Sequence, residues 1–483
     1  MLERLGVIVL IAAALVAGAV LYLAQPTSGP QPAPPATDES PSTPPDHQDT
    51  SKQPAPPNGS VDGQTDQRLA ERTLDNGLKV IVYEDHAAPV VAVNVWYKVG
   101  SRNEPADKKG MAQMLEHMMF KGSQNVAPEE HAKLINRAGG SANAFTREDV
   151  TVYFETLPAE ELELALRLEA ERMSHLIIDP EQFRSEREVL QEEYHVRMQN
   201  NPTSLALLRF RQIAFQGTPY AWTAAGTPEG LDSISVADLK RFYNTYYAPN
   251  NAVLVIAGDV RPEQAFRLAR AHFDDVPASD LPEETDVEMP APAEMQTARV
   301  QLPVQLPAVI GGYPLPSAGS EDAAALQIAG TVLSSGKSSR LEQSIVRERG
   351  LAVAAGGVPQ FYQDLGMMLL FAFHMPDQTA EEVQSALLAE IAKLRNEPVS
   401  DRELQKAKNQ LKSQYVFNLD SVNGVANAIG EAEVIRGDAR KFLQGASRYE
   451  DVTAADVQRV AQAYLSEDRL TVVQLVPQGG QSK

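Results

Sequence analysis

A carboxylate and an imidazole stand side by side in the stretch Gly110-Met111-Ala112-Gln113-Met114-Leu115-Glu116-His117-Met118-Met119-Phe120-Lys121-Gly122. Neither proline nor glycine interrupts the apolar run between the two terminal glycines, so the stretch predicts a helix over about residues 106–121. Residues four apart on a helix share a face, which places Gln113 beside His117, with Glu116 one step around. No other part of the chain places such a pair within a run of methionine and leucine.

The spacing of these three residues matches the inverted zinc motif His-x-x-Glu-His at all but one position. In that motif two imidazoles bind zinc and the glutamate activates a metal-bound water. Gln113 occupies the first imidazole position in this chain. Taken alone, Glu116 and His117 could also be an ordinary hydrogen-bonded pair in a core helix, so the motif needs support from the rest of the chain.

The composition allows two or more domains and excludes several kinds of partner and site. The chain has 483 residues, of which 43% are hydrophobic, enough for a sizeable core. A formal net charge of -21 argues against nucleic acid, because an acidic surface repels phosphates. The same charge would attract cationic peptides, although a solvated acidic surface is the simpler explanation. The absence of cysteine excludes disulfides, thiolate metal sites and a lipid-modified cysteine anchor.

The first 67 residues predict a membrane segment followed by a linker. Residues 5–24 form an apolar run of about 20 residues, long enough to cross a bilayer as a helix. Residues 1–24 are therefore expected to be a membrane anchor or, alternatively, a cleaved signal peptide, since Ala17-Gly18-Ala19 fits a cleavage site. Either reading exports the chain, with a bacterial inner membrane facing the periplasm as the expected location. Residues 25–67 are rich in proline and polar residues and predict a disordered linker.

The next part of the chain predicts strands that are followed by helices. Asp75-Asn76-Gly77 is a tight-turn signal between two apolar segments and predicts a hairpin. The hydrophobic pattern further predicts strands over 90–99, 141–157 and 252–258, and helices over 128–138, 159–176, 180–199, 203–215 and 235–247, with another helix from Pro262.

A second copy of this pattern follows a linker rich in proline and acids. Residues 234–241 match residues 452–459 without a gap, and Tyr246 falls on Tyr464 at the same offset of 218 residues (234 to 452). An offset that stays constant over a helix and a strand indicates a duplicated domain. We therefore predict an N-terminal domain over 68–276, a linker over 277–295 and a C-terminal domain over 296–479.

Six segments occur in one order along the chain: Leu74-Asp75-Asn76-Gly77-Leu78, Val99-Gly100-Ser101-Arg102-Asn103-Glu104, Leu115-Glu116-His117-Met118-Met119-Phe120-Lys121-Gly122, Asn143-Ala144-Phe145-Thr146, Glu186-Arg187-Glu188-Val189-Leu190-Gln191-Glu192-Glu193 and Ser338-Ser339-Arg340-Leu341. In this combination they resemble the insulinase/pitrilysin family of zinc metallopeptidases, the inverted zincins. The chain is most similar to the short two-domain type, which includes the subunits of mitochondrial processing peptidase. The resemblance covers nearly all of residues 72–477.

This resemblance implies an α+β fold of two duplicated domains, each an antiparallel sheet with helices packed on one side. In related proteins four such domains enclose a chamber that holds unfolded peptides. A chain of this length would supply half of the chamber. The expected partners are therefore a peptide or unfolded-protein substrate and a second short chain of the family, either different from this one or identical to it.

The resemblance also assigns roles to individual residues of the zinc site. Glu116 falls at the position of the general base, His117 at the second imidazole ligand and Glu193 at the carboxylate ligand. Gln113 falls at the first imidazole ligand and departs from it. Glu186, seven residues before Glu193 and on the same helix face, falls at a glutamate that supports the site.

Three further residues fall at positions that hold the substrate. Asn143 and Ala144 match the strand edge that pairs with the substrate backbone, and Arg347 matches an arginine from the later domain. The tyrosine that accompanies this arginine in relatives is replaced by Val353, and the spacing differs by one residue. The remaining histidines, among them His131, have no partner at ligand spacing and are expected to be surface or packing residues.

Two departures from the family pattern predict impaired chemistry. A carboxamide is a poor replacement for an imidazole, and losing groups that merely orient ligands already weakens related zinc sites about 10–100-fold. Val353 cannot donate a hydrogen bond to a substrate oxygen, so stabilisation of the transition state is also reduced. We therefore expect weak or absent zinc and a catalytically impaired subunit of a peptidase complex. The alternatives are an active zinc metalloendopeptidase and, less favoured, a peptide-holding factor without a proteolytic partner.

Overall fold

The computed structural model describes residues 66–284, 287–288, 294–304 and 306–478. The expected membrane segment and nearly all of the expected N-terminal linker lie outside these residues. Within the described ranges no helix combines the length and apolar character needed to cross a bilayer. The expectations for the first 65 residues therefore stay predictions.

The first half of the chain forms a six-stranded sheet, sheet 1. Its strands are β1 (Leu69–Thr73), β2 (Lys79–Glu84), β3 (Val90–Tyr97), β4 (Ser141–Thr146), β5 (Thr151–Pro158) and β6 (Ala252–Gly258), in the order β1-β2-β6-β3-β5-β4. β2 and β6 are parallel, whereas all other neighbours are antiparallel. The expectation of a purely antiparallel sheet is therefore wrong, because β6 returns from the far end of the half and inserts between β2 and β3.

Eight helices belong to the described part of this half. They are α1 (Met111–Met118), α2 (Glu130–Arg137), α3 (Leu162–His175), α4 (Pro180–Tyr194), α5 (Pro202–Ala214), α6 (Pro228–Ser233), α7 (Val236–Tyr246) and α8 (Pro262–Phe273). A π-helical turn, His195–Gln199, continues α4. Short 3-10 turns lie at Asp66–Arg68, Ser101–Asn103, Ala159–Glu161, Pro219–Ala221 and Pro249–Asn251. The main core lies between sheet 1 and its own helices, where Val93, Leu115, Leu166 and Phe266 are buried.

The second half forms a five-stranded sheet, sheet 2. Its strands are β7 (Gln296–Leu302), β8 (Ala308–Leu315), β9 (Ala352–Phe361), β10 (Gly366–His374) and β11 (Thr471–Pro477), in the order β7-β11-β8-β10-β9. The helices are α9 (Ala323–Ser334), α10 (Ala380–Asn396), α11 (Asp401–Asn418), α12 (Val422–Val434), α13 (Lys441–Gln444) and α14 (Ala454–Tyr464), with a π-helical segment at Glu342–Glu348 and 3-10 turns at Ser447–Tyr449 and Glu467–Arg469.

The two sheets share one topology, as the internal match in the sequence predicts. Sheet 2 repeats the order of sheet 1 without β1, and its one parallel pair, β7 with β11, corresponds to β2 with β6. The matched helices α7 and α14 begin with the same capping box, made by Ser235 and Asp238 in one half and by Thr453 and Asp456 in the other. Each box satisfies helix N–H groups that would otherwise lack acceptors.

Two predicted elements have different bounds in the structure. The motif helix α1 begins at Met111, about five residues later than expected, because Gly110 has a positive φ of 99° and ends the preceding loop. The single strand predicted over 141–157 is an antiparallel pair, β4 and β5. The chain reverses between them through a bond from Arg147 N to Val150 O at 2.8 Å.

Each sheet is also covered on its second face by a helix from the other half. α12 packs against sheet 1, with Ile429 beside Trp96 and with Asn94 Nδ2 donating to Asn427 Oδ1 at 3.0 Å. In return α5 packs against sheet 2, where Phe210 lies among buried residues of β8 and β10. The expectation of helices on one side only is therefore incomplete, because it treats the halves as separate units.

Candidate active site

The motif helix is buried along its whole length. All eight residues of α1 are buried, and the helix packs between β4 on one side and α4 on the other. Methionine and leucine side chains of α1 face the main core, which leaves Gln113, Glu116 and His117 directed toward these two neighbours. A polar triad in this position must find partners on β4 or α4, because buried polar groups without partners destabilise a fold.

His117 is held by Glu186 on α4. Its Nδ1 lies 3.1 Å from Glu186 Oε2, and the other carboxylate oxygen of Glu186 pairs with Lys121 Nζ at 2.9 Å. His117 Nε2 is buried and has no hydrogen-bond partner among the described residues. An imidazole bound to a carboxylate through one nitrogen, with the other nitrogen free, is the arrangement of a metal-binding histidine.

The charges around His117 also favour its protonated form. Burial lowers the pKa of the imidazole, but the bond to Glu186 and the charges of Glu116 and Glu193 outweigh it, so the pKa of His117 is raised. A metal ion would have to displace this proton, since only the neutral ring binds metal.

Glu116 turns to the opposite side and contacts β4. Thr146 Oγ1 donates to Glu116 Oε2 at 2.5 Å. Burial raises the pKa of Glu116 to about 7, against the opposing effects of His117 and the bond from Thr146. A carboxyl group with a pKa near neutrality is suited to accept and release a proton.

Gln113 places a carboxamide at the expected position of the third ligand. Its amide nitrogen, Nε2, lies 3.4 Å from Glu193 Oε2, so the amide presents an N–H donor to the one carboxylate that should bind the metal. Glu193 also lies 3.7 Å from the guanidinium of Arg197. Catalytic zinc usually has three protein ligands and a water. Of the three residues at the expected ligand positions, His117 offers an imidazole and Glu193 a carboxylate, whereas Gln113 offers a neutral amide, so these three residues fit a three-ligand zinc site poorly.

Glu193 lies on an open face of α4. A shallow depression of ≈ 590 Å³ beside it is lined by Ser185, Glu188, Val189, Glu192, Glu193, Val196 and Arg197. Glu186, in contrast, is buried under α1. The two glutamates therefore contact different residues, although their spacing of seven places them on the same side of one helix. Glu186 contacts His117 and Lys121, whereas Glu193 contacts Gln113 and Arg197.

The predicted substrate-edge residues lie beside the motif helix. Asn143 and Ala144 are on β4, which is an edge strand and pairs only with β5 among the described strands. Asn143 Oδ1 accepts from the backbone N–H of Ala144 at 2.8 Å. β4 therefore has one edge along which no described strand pairs.

Arg347 is not brought to these residues by any described contact. It lies in the π-helical segment of the second half, and its Nε donates to Glu342 Oε1 at 3.1 Å. Val353 lies nearby on β9, an edge strand of sheet 2, and packs against the cluster that α5 of the first half forms with this sheet. The described contacts therefore assemble the metal-site positions within the first half alone.

Glu104 is a residue of the site region whose contact the sequence analysis missed. Its carboxylate accepts from the backbone N–H groups of Gly110 and Ala112, each at 2.9 Å. It thus caps α1, whose N-cap residue is a glycine without a side chain. An acid six to eight residues before an uncapped helix is the only sequence signal for such a contact, and it is a weak one.

His131 is also not an ordinary packing residue. His131, Glu155 and Glu169 form the one group of three histidine or acidic donors within 4.8 Å of one another that the described residues contain. Arg172 donates from Nε and Nη2 to the two carboxylate oxygens of Glu169. It therefore supplies positive charge to the group. Burial and Arg172 lower the pKa of His131 to about 3, so its ring is neutral. We interpret the group as a buried ion network.

Family comparisons agree with the arrangement of the two halves. Residues 79–227 match the model described as Insulinase (Peptidase family M16), and residues 233–411 match the model described as Peptidase M16 inactive domain. The zinc protease PqqE of Helicobacter pylori is 33% identical over 409 residues, which cover 84% of this chain and 92% of that protein. A probable mitochondrial-processing peptidase subunit beta of Arabidopsis thaliana is 26% identical and covers 84% of this chain and 78% of its own length.

Solved structures show the same fold. The crystal structure of a protease from Helicobacter pylori has a TM-score of 0.80 at 33% identity and covers 85% of this chain and 99% of its own. The periplasmic protease PqqL from Escherichia coli has a TM-score of 0.69 at 20% identity. This chain matches 48% of the PqqL chain.

Proposed function

Because the chain belongs to the insulinase family of metallopeptidases, we propose that it is a catalytically impaired member that binds peptides as one subunit of a peptidase complex. Its two peptidase-like domains would be residues 68–276 and 296–479, joined by the linker 277–295. The substrate class that fits this proposal is an extended peptide or an unfolded protein, because the open edge of β4 adjoins the site.

One contact carries the proposal of impaired chemistry. The Gln113 amide N–H faces Glu193 where an imidazole should stand. Turning the amide over would present its oxygen, but a neutral amide oxygen suits Mg²⁺, Ca²⁺ or Mn²⁺ better than zinc. His117, Glu193 and Glu116 then act as a polar pocket that binds and orients peptide groups without activating water efficiently.

A partner chain and an exported location belong to the same proposal. The relatives of similar length and the double-length PqqL chain favour an assembly of two such units, formed with a second short family member or with a copy of itself. The apolar N-terminal run would tether the assembly to the outer face of an inner membrane, or would be removed as a signal peptide.

Peptide cleavage by the purified full chain tests the proposal. We expect little cleavage by the chain alone, and we expect Gln113→His to raise metal content more than activity because Val353 remains. Gln405→His, which adds a histidine to an exposed position of α11, is the matched control and should change neither. Chelator-sensitive cleavage by the unmodified chain that disappears in Glu116→Gln would contradict the proposal.

The second candidate is an active zinc metalloendopeptidase. One observation favours it: His117 Nε2 is buried and has no hydrogen-bond partner in the described part of the chain, and its Nδ1 is already bound to Glu186. Glu116 would then be the base, and Glu193 the carboxylate ligand. The cleavage assay described above separates the two candidates, since only the active enzyme requires Glu116 in the unmodified chain.

A further inference from the structure

The segment 100–104, which we name the strap, lies between the end of β3 and the loop before α1. Two of its backbone N–H groups donate to carbonyl oxygens of the turn between β4 and β5, at 3.1 Å from Ser101 to Arg147 and at 3.0 Å from Arg102 to Glu148. The glycine that begins the strap has no room for a Cβ because of the same carbonyl oxygens. The strap is therefore fixed against the turn that follows β4.

The middle of the strap reaches the second half of the chain. Arg102 donates from Nη1 to Oδ2 of Asp364 at 2.5 Å, and Asp364 lies in the turn between β9 and β10. The Arg102 side chain is only 9% exposed. The same turn donates the backbone N–H of Gln363 to Asp149 Oδ2 at 3.1 Å. Tyr220 completes the junction by donating to Asp149 Oδ1 at 2.6 Å.

The end of the strap holds the motif helix. Glu104 is 6% exposed, and both of its carboxylate oxygens accept N–H groups from the first turn of α1. A helix start has four such N–H groups without helical partners, and Glu104 supplies acceptors for two of them. Between the two anchors, the residues Ser101–Asn103 form a 3-10 turn, and the Asn103 side chain accepts from Gly100 N at 3.0 Å.

We propose that the strap couples the second half of the chain to the motif helix. Asp364 positions Arg102, and Glu104, two residues further on, positions the first turn of α1, on which Gln113 lies. A short turn held at both ends transmits a change at one anchor to the other, because every backbone N–H group of the strap is hydrogen-bonded. The second half thus acts on the site through these positioning residues. This coupling does not depend on whether the site binds metal or cleaves peptides.

Hydrogen exchange of the full chain, read by mass spectrometry over residues 105–118, tests the coupling. Asp364→Ala removes the side-chain bond from the second half to Arg102, which keeps Tyr220 at 3.3 Å and Asp149 at 3.6 Å as neighbours in the first half. We expect exchange in the first turn of α1 to rise about tenfold, because local opening becomes easier. Asp377→Ala, an exposed acid of the same half, is the matched control and should leave this exchange unchanged. Faster exchange at the β9–β10 turn and the strap, with α1 unaffected, would overturn the proposal.

A double variant identifies the route of the coupling. Glu104→Gln should itself speed exchange in the first turn of α1, and adding Asp364→Ala should then have little further effect there, since coupled sites are not additive. Effects that simply add would show that the coupling does not run through Glu104. Should Asp364→Ala fail to fold, Asp364→Asn can replace it, because asparagine keeps the side-chain volume and one acceptor. The single and double variants are then compared in the same way, with a smaller expected rise in the exchange of the first turn of α1.

Discussion

The two halves of the chain have the same sheet topology but very different chemistry. α1 follows β3 in the first half, and α9 follows β8 at the same place in the second. α1 carries Gln113, Glu116 and His117 and places each of them against a partner on α4 or β4. The twelve residues of α9 include no acid and no histidine. A fold can therefore be copied while the site is kept in one copy only, because topology depends on the apolar pattern and the site on a few side chains.

The halves also differ in their buried carboxyl groups. Burial raises the pKa of five such groups in the first half: Glu104, Glu116, Asp149, Glu155 and Glu169. Every shift resolved for an acid of the second half is downward, as at Glu403, whose pKa falls to about 2 through its bonds with Arg340. Among the described residues, the first half thus holds every carboxyl group whose pKa is raised by burial.

The largest expected effect breaks the mutual covering of the halves. Gly430 of α12 lies against the Trp96 indole, and a Cβ there would collide with the ring. We expect Gly430→Leu to lower the free energy of unfolding by about 3 kcal/mol, as overpacking of a filled core does. Urea unfolding measures this, and Gly319→Leu, at an exposed position with open space, should stay within about 0.5 kcal/mol.

The mirror variant asks whether the second sheet depends equally on the first half. A Cβ at Gly312 of β8 would meet Phe210 of α5 and the Met367 sulfur. Gly312→Leu should cost about as much as the α12 variant, on the order of 3 kcal/mol. A loss confined to one of the two variants would show that the covering is not reciprocal.

A smaller effect is expected from the support of His117. Glu186→Ala leaves the buried imidazole Nδ1 without its carboxylate partner and leaves the Lys121 ammonium with Glu129 alone, at 3.4 Å. Removing one partner of such buried groups costs about 2 kcal/mol. Thermal unfolding should show this loss, whereas Glu188→Ala on the exposed face of the same helix should be nearly neutral. Equal losses of stability in the two variants would show that Glu186 does not support His117.

The smallest effect, counted per pH unit, is the pH dependence that Glu104 of the first half should cause. Burial raises the pKa of Glu104 to about 8, although two backbone N–H groups and Lys109 oppose the shift. Because the unfolded group titrates near its usual value of 4.5, the folded state binds the extra proton in between. This stabilising contribution is present at low pH and is lost as pH rises through about 8, with a slope of up to about 1.4 kcal/mol per unit.

Unfolding of the chain at pH 6.5 and pH 8.5 should therefore show lower stability at the higher value. The carboxyls with lowered pKa, such as Glu403, are ionised throughout this window and add nothing to the difference. Glu104→Gln should reduce the dependence on pH, and Glu403→Gln should leave it intact. A free energy of unfolding that rises from pH 6.5 to pH 8.5 would contradict the raised pKa of Glu104.

Local patterns allowed much of the fold to be predicted from the sequence. The Asn76-Gly77 turn produces the β1–β2 hairpin, with Gly77 at a φ of 91°, and the Ser235 box begins α7 within one residue of the expected start. The motif, the later glutamates and the internal duplication were also readable, because each depends on spacing along the chain.

Contacts between distant segments were not predictable in the same way. The parallel pairing of β2 with β6 joins residues far apart in the sequence, and the turn between β4 and β5 contains neither glycine nor proline. The contacts of Glu104 with α1 and of His131 with Glu155 depend on which buried groups meet in the folded chain. No periodic pattern in the sequence predicts contacts of this kind between buried groups.

Zinc affinity of the unmodified full chain, measured by competition with a chelator, tests the central claim most directly. The amide of Gln113 should leave binding weaker than in Gln113→His on the order of 100-fold or more, since loss of a direct ligand exceeds the loss of a supporting group. Purified chain should accordingly hold less than one zinc per molecule. Tight binding of one zinc by the unmodified chain, unchanged in Gln113→His, would contradict the account.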